Sequence, residues 1–404
     1  MANHSTTRQF SAPSVSMEQM ERINTKKVVN DLLRSLSPKE RDIVKRRFGL
    51  DRERRETLQE VGEAHGLTRE RIRQVENSII AGKLRGKEDL KEELAMLKDF
   101  VVKLLEEHGG VMEKEYMFNL LDKISETSEK DSASIKKNHL DFLLSRLFAN
   151  ELEELKRSPR FKQSYKLKGH DLDHLEEVAE ELAREVNNLE RILKIEELLD
   201  VATKLSSYFK HQDKLHREPN LDIDSLLEEH GFYNPKEKEV ASSHRSLYSL
   251  LQAVKDIEPN KFGYWGAREW SEISPKTIND KIYLVLKNQG EPMHFTDLAE
   301  RINAMGFDNK KANPATIHNE LILDDKYVLI GRGMYGLKEW GLKEGTVADV
   351  IREVLAQEGP LTREEIVQKV LDTRMVKKST INLALSNRRE FQRTSDGKYT
   401  LRQG

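Results

Sequence analysis

The chain has 404 residues, 37% hydrophobic and 34% charged, with 6% aromatic side chains and no cysteine. This excludes disulfides, thiolate zinc sites and a cysteine nucleophile, and it suits a row of small helical modules better than one large core. The net charge of −2 hides an asymmetry: residues 26–87 carry 17 Lys and Arg against 10 Asp and Glu, a net of +7, which leaves −9 on residues 88–404.

A basic module on an acidic body points to a polyanionic partner for the first part only. The absence of cysteine fits a cytoplasmic location. The opening stretch, MANHSTTRQFSAPSVSMEQM, lacks a basic-then-apolar leader pattern, and residues 1–25 read as a disordered tail. No run of 18 apolar residues occurs, so no membrane span is expected.

Ser37-Pro38-Lys39-Glu40 is a helix start, with Ser as cap, Pro in the first turn and Glu placed for a capping box. That helix is predicted to end at Gly49, a left-handed cap. Thr57-Leu58-Gln59-Glu60 is a second capping box; its short helix ends at Gly66, and Thr68 caps a third. Val61, Leu67, Ile72 and Val75 fall where two crossing helices bury side chains, Gly62 is small where they approach, and Gly66 supplies the positive φ of the turn. Together these describe a helix-turn-helix.

With Ile72 and Val75 facing inward, Arg69, Glu70, Arg73, Gln74 and Asn77 share the opposite face of the third helix. Their chemistry matches base reading: Arg bonds two acceptors of guanine, Gln pairs with adenine, Glu accepts from cytosine. The alternative is a solvated helix laced by pairs such as Glu70–Arg73, worth tenths of a kcal/mol each.

The stretch LSPKERDIVKRRFGL…TLQEVGEAHGLTRERIRQVENSIIAGKLR resembles region 4, the C-terminal DNA-binding part, of sigma-70-type transcription initiation factors, over about residues 28–87. In that family this helix enters the major groove of the promoter −35 element, and the module docks on the RNA polymerase flap. The resemblance implies base contacts from Arg69, Glu70, Arg73 and Gln74, and phosphate contacts near Thr57, Arg71 and Lys83. No counterpart of the aromatic-rich sigma region 2 is present; Trp265, Trp270 and Trp340 all lie far downstream. The resemblance therefore does not imply a complete sigma factor.

From about residue 94 a loose pattern recurs: a helix, a short apolar segment, further helices, then a hairpin. The clearest copy runs from Ser274-Pro275 through KTINDKIYLVLKNQGEPMHF and DLAERINAM to KYVLIGRGMYGLKEW, a two-stranded wing turning at Gly331-Arg332-Gly333. Its GEPMHFTDLAERI and LIGRGMYGLKEW stretches resemble the HARE-HTH winged-helix family over about residues 278–340, a family with proposed nucleic-acid or polymerase-linked roles. The last copy runs from Gly345 to QRTSDGKYTLR. Fainter copies close with FKQSYKLKG and with KFGYWGAREW, which rhymes with RGMYGLKEW. The expected architecture is mainly α: the tail, a helix-turn-helix over 26–90, winged-helix-like units over 94–169 and 172–272, a HARE-HTH-like winged helix over 274–341 and a last one over 345–402.

Leu172, Leu175, Ala179, Leu182, Val186, Leu189 and Leu193 follow 3-4 spacing. Such a stripe either zips two chains, as a homodimer through 172–193, or faces the core of one domain.

Enzyme constellations are missing: no phosphate loop, no HExxH and no dinucleotide fingerprint. His211 and His216 lack a nearby third metal ligand, and Asp324-Asp325 sits at a helix-to-wing junction where a turn role is the plainer account. No cofactor is expected. The leading expectation is a cytoplasmic bacterial transcription factor that binds double-stranded promoter DNA, with winged-helix repeats touching DNA or the RNA polymerase core. The alternative is a polymerase-associated scaffold that reads no sequence.

Overall fold

The computed structural model describes residues 23–85, 92–124, 132–215, 242–331, 333–342, 345–373 and 376–402. Residues 1–22 of the expected tail, Arg332 of the expected wing turn and His216 lie outside them. The architecture is mainly α, with a helix-turn-helix first and small winged-helix-like domains after it. Two compact units form, one running to Glu258 with residues 265–268, the other comprising residues 259–264 and those from Glu269 onward. Among the described residues no helix is long and apolar enough to cross a membrane.

The first unit begins with α1 (Thr25–Leu33), α2 (Pro38–Phe48), α3 (Leu58–His65) and α4 (Arg69–Ile79), which continues into a π-helical turn, Ile80–Leu84. The caps explain the boundaries. Ser37 and Glu40 form a capping box at α2, Thr57 and Glu60 form another at α3, and the Thr68 side chain accepts from Arg71 N at α4. Such caps contribute about 1 kcal/mol each. Gly49 and Gly66 end α2 and α3 at φ 64° and 62°. Gly62 permits the helix crossing, since a Cβ there would lie 2.6 Å from the Leu67 carbonyl oxygen. Ile43, Val61 and Ile72 form the core, with Leu58, Leu67 and Val75 packed against it. Each fully buried branched side chain contributes about 1.5–3 kcal/mol.

The chain then builds α5 (Glu92–Glu107), β1 (Val111–Glu113), α6 (Lys114–Ile124), α7 (Ala133–Phe142) with a π-helical turn Leu143–Leu147, β2 (Leu152–Leu155) and β3 (Ser164–Leu167). The antiparallel sheet has order β1-β3-β2, with Met112 opposite Tyr165 and Leu152 opposite Leu167. Three helices and a closing sheet give this segment a winged-helix order.

The spaced leucines fall on α8 (Asp173–Leu189), and here one expectation is corrected. Leu175, Ala179, Leu182 and Val186 are buried within this chain, against α9 (Ile195–Thr203) and α10 (Ser206–Lys210). The stripe is spent on an internal core and presents no zipper to a second copy, because 3-4 spacing records only that one face is buried, not by what. After α11 (Gln212–Leu215), α12 (Arg245–Ala253) returns to β1, where Ser249 Oγ donates to the Val111 carbonyl at 2.7 Å and Arg245 pairs with Glu107. The KFGYWGAREW stretch carries a short strand, β5 (Trp265–Ala267), preceded by β4 (Ile257–Pro259). Trp265 exchanges backbone bonds with Leu193.

The second unit holds α13 (Ile278–Gln289), β6 (Met293–His294), α14 (Phe295–Met305), α15 (Pro314–Leu323), β7 (Tyr327–Gly331) and β8 (Met334–Leu337), with sheet order β6-β8-β7. Ile282, Leu286, Leu298, Ile317 and Leu337 centre its core. The rhyming RGMYGLKEW thus closes its own wing. Asp324 Oδ1 accepts from Lys326 N at 2.9 Å, the turn role expected of that pair. The last repeat follows with α16 (Val347–Glu358), α17 (Arg363–Thr373), α18 (Lys378–Leu385) and the hairpin β9 (Phe391–Arg393) and β10 (Tyr399–Leu401), around Ile351, Ile366, Val370, Ile381 and Phe391.

Candidate nucleic-acid interface

Helix α4 sorts its residues by period. Ile72, Glu76 and Ile79 are buried, while Arg69, Glu70, Arg71, Arg73, Gln74 and Asn77 lie outside that buried stripe. Thr68 and the Gly66 turn fix where this helix starts, so the outward set is positioned by backbone geometry rather than by side-chain packing.

Within that set the charges are arranged. Arg73 Nε and Nη2 donate to the two Glu70 oxygens at 2.9 and 2.7 Å, a bidentate fork. The Arg73 guanidinium holds the Glu70 carboxyl below its usual range, and Glu70 raises Arg73 in turn. Arg71 Nη1 donates to Gln74 Oε1 at 3.2 Å. Both members of the Glu70–Arg73 pair are more than half exposed, so the fork opens at little cost when a better acceptor arrives.

The remaining predicted residues lie around this face in different ways. Thr57 is exposed and caps α3, accepting from Glu60 N. Lys83, in the π-helical turn, donates to Glu40 Oε1 at 2.6 Å and so is tied to the start of α2. That bond is the main reason the Glu40 carboxyl lies below its usual range, with the Ser37 cap adding to it.

The net +7 is not a uniform field. Arg46 pairs with Asp42 and Glu56, Arg52 with Glu56, Arg54 with Glu60 and Arg47 with Glu76. The arginines of α2 and of the loop after it brace the module, and the outward cations concentrate on α4.

Two features were not expected from the sequence. The first is Glu76, buried on the apolar side of α4. Arg47 Nε donates to it at 2.8 Å, and Arg146 approaches it at 3.8 Å. The signal was present: Glu76 stands four residues after Ile72 and three before Ile79, inside the apolar stripe, where a carboxylate requires a cationic partner.

The second is what covers the module. Helix α7, the third helix of the first winged-helix unit, packs on the loop after α2. Asn138 Nδ2 donates to the Gly49 carbonyl at 3.1 Å, and Arg55 donates to Asn138 Oδ1 at 2.8 Å and to Asp141 Oδ2 at 2.6 Å. Phe48 and Phe142 stack with ring centroids 4.9 Å apart. Tyr165 OH and Lys114 also donate to Asp141 Oδ1. Burial pushes the Asp141 carboxyl up, but these bonds outweigh it and hold the group below its usual range. The contact leaves the outward face of α4 open.

Residues 32–85 match the family model for sigma-70, region 4, and residues 276–340 match the HARE-HTH model, described as a restriction endonuclease HTH domain. Among curated relatives, the chloroplastic RNA polymerase sigma factor sigF of Arabidopsis thaliana is 53% identical over 49 residues, 12% of this chain and 9% of its own. The RNA polymerase principal sigma factor HrdD of Streptomyces coelicolor is 54% identical over 48 residues, 12% of this chain and 14% of its own. The RNA polymerase sigma factor SigA of Listeria monocytogenes is 43% identical over 76 residues, 19% of each chain. The chain thus spans between a tenth and a fifth of the length of these relatives. No solved structure matches it.

Proposed function

We propose that this chain is a cytoplasmic, non-enzymatic bacterial transcription factor whose helix-turn-helix reads promoter −35-type duplex DNA in the major groove. One observation carries the reading: Arg69, Glu70, Arg73, Gln74 and Asn77 share the outward face of a capped helix in a region that matches sigma-70 region 4. Arg73 and Arg69 suit guanine O6 and N7, Gln74 suits adenine, and Glu70 suits a cytosine amino group once Arg73 leaves it. Thr57, Arg71 and Lys83 sit as phosphate neighbours that set register. Fluorescence anisotropy with a −35-like duplex and its scrambled counterpart, over a salt series, tests this. Tighter binding to the −35-like duplex is the expected result; equal affinity for both overturns the reading.

A second reading, an RNA polymerase-associated scaffold docking on the core flap, is favoured by the use the chain makes of α7. That helix buries Asn138, Leu140, Asp141 and Phe142 in a protein contact, so the first winged-helix unit has no free third helix for a groove. Copurification with polymerase core and no duplex binding would select this reading.

A further inference from the structure

The HARE-HTH-like module carries a cleft of about 350 Å³ between the start of α13, the end of α14 and the start of α15. Lys276, Lys281, Lys310 and Lys311 line it, with Asp308 as its one carboxylate. Lys281 is 5% exposed, and its Nζ lies 2.6 Å from Asp308 Oδ2. Asp308 is occupied further: its Oδ1 accepts from Lys310 N at 3.0 Å. Lys276, Lys310 and Lys311 are exposed and form no ion pair among the described residues. One carboxylate therefore faces four ammonium groups, and three positive charges are left uncompensated in one concavity.

The rest of the lining is not uniformly polar. Ile278, Ile302 and Ala312 form an apolar wall, and Asn313 and Thr316 offer polar groups at the start of α15. A bare inorganic anion would leave that wall and much of the volume unused. A sugar carrying a phosphate uses both, with the phosphate on the lysines and the ring against the isoleucines. The opposite sign prevails elsewhere on the same module, where a second concavity is lined by Glu272, Asp280, Asp324, Asp325 and Glu339. The module is thus polarised, and only the Lys276–Lys311 side attracts a polyanion.

We propose that this cleft is a sugar-phosphate site, taking a nucleotide unit either of a duplex backbone or of a free nucleotide. It is separate from α4 and does not depend on what α4 reads. The test is amine-reactive footprinting of the full chain, read by mass spectrometry, with a short random-sequence duplex in one arm and deoxyadenosine monophosphate in the other. The duplex arm is repeated on the Arg73→Ala chain, so that loss of reading by α4 leaves this result standing. At a free ligand concentration twice the dissociation constant, reactivity of Lys276, Lys310 and Lys311 should fall by about threefold by mass action. Lys326 and Lys338, on the acid-lined side, serve as internal controls and should not change. Protection in the duplex arm identifies the backbone as the source, and protection in the monophosphate arm identifies a free nucleotide. The double variant K310E/K311E should abolish protection of Lys276 in whichever arm shows it. Unchanged reactivity in both arms, or equal protection of Lys326 and Lys338, overturns the proposal.

Discussion

Arg55, in the loop after α2, donates to the buried Asp141 of α7 at 2.6 Å, and this bond joins the helix-turn-helix to the first winged-helix unit. Asp141 is satisfied from three elements at once, by Arg55, by Lys114 at the start of α6 and by Tyr165 on β3. A buried carboxylate with three donors is costly to disturb, because any loss leaves desolvated groups unpaired.

Asp141→Ala is therefore expected to destabilise the first unit by about 3–5 kcal/mol, since it strands the half-buried Lys114 and the buried Tyr165 hydroxyl. Arg55→Ala should cost less, about 1–2 kcal/mol, because Arg55 is partly exposed and solvent screens its share. Arg54→Ala, which breaks an exposed pair with Glu60, should leave the midpoint where it was. Urea titrations of the three variants check the ranking; equal midpoints for Asp141→Ala and Arg54→Ala would contradict it.

Arg73→Ala should weaken binding to a −35-like duplex by about 5- to 150-fold and relax base preference, without moving the unfolding midpoint. Glu70→Ala should act differently, freeing Arg73 from its fork while removing one base acceptor. Its signature is a changed base preference at one position rather than a uniform loss, measurable by competition with single-base variants of the duplex.

Gly62→Ala should destabilise by about 1–3 kcal/mol, because the new methyl meets the rigid Leu67 carbonyl and must spread α3 from α4. Gly82→Ala, where a Cβ would meet nothing within 4 Å, should be neutral or stabilising by about 0.4–1 kcal/mol. Thermal unfolding distinguishes the two, and duplex binding should fall only for the first.

The first unit should lose stability on acidification below neutrality. Burial lowers His174 to about 4, helped by the nearby Lys214, and burial lowers His108 to about 3. Both groups ordinarily protonate near 6.5, so the unfolded chain takes up protons that the folded one refuses, and stability falls as pH drops from about 6.5 towards 3. Glu181 adds a lower window. Bonds from Ser207 and Ser206 depress it to about 2, so its contribution is present above 4.5 and is lost as pH falls through the folded value. Urea midpoints measured across pH should show the upper slope flattened by His174→Gln, and an unchanged slope would refute the assignment.

Much of the local structure was legible because its causes are local. The capping boxes at Ser37 and Thr57, the left-handed glycines 49 and 66 and the outward run from Arg69 to Asn77 depend on neighbours within a few residues, and spacing along the chain records those. The wing strands β7 and β8, and β9 and β10, were legible for the same reason. The leucine stripe of α8 shows the limit: its period announced a buried face but not whether the cover was α9 and α10 or a second chain.

What the sequence alone determined was the helix-turn-helix, the identity of its outward face and the mainly helical, winged character of the rest, since period, caps and turn residues act over short range. Only the tertiary structure decided how the charge is spent. It pairs Arg47 with Glu76 and Arg55 with Asp141, covers α7 rather than α4, and gathers Lys276, Lys281, Lys310 and Lys311 into one cleft. Ion pairing and burial depend on which distant segments meet, and no spacing along the chain encodes that meeting.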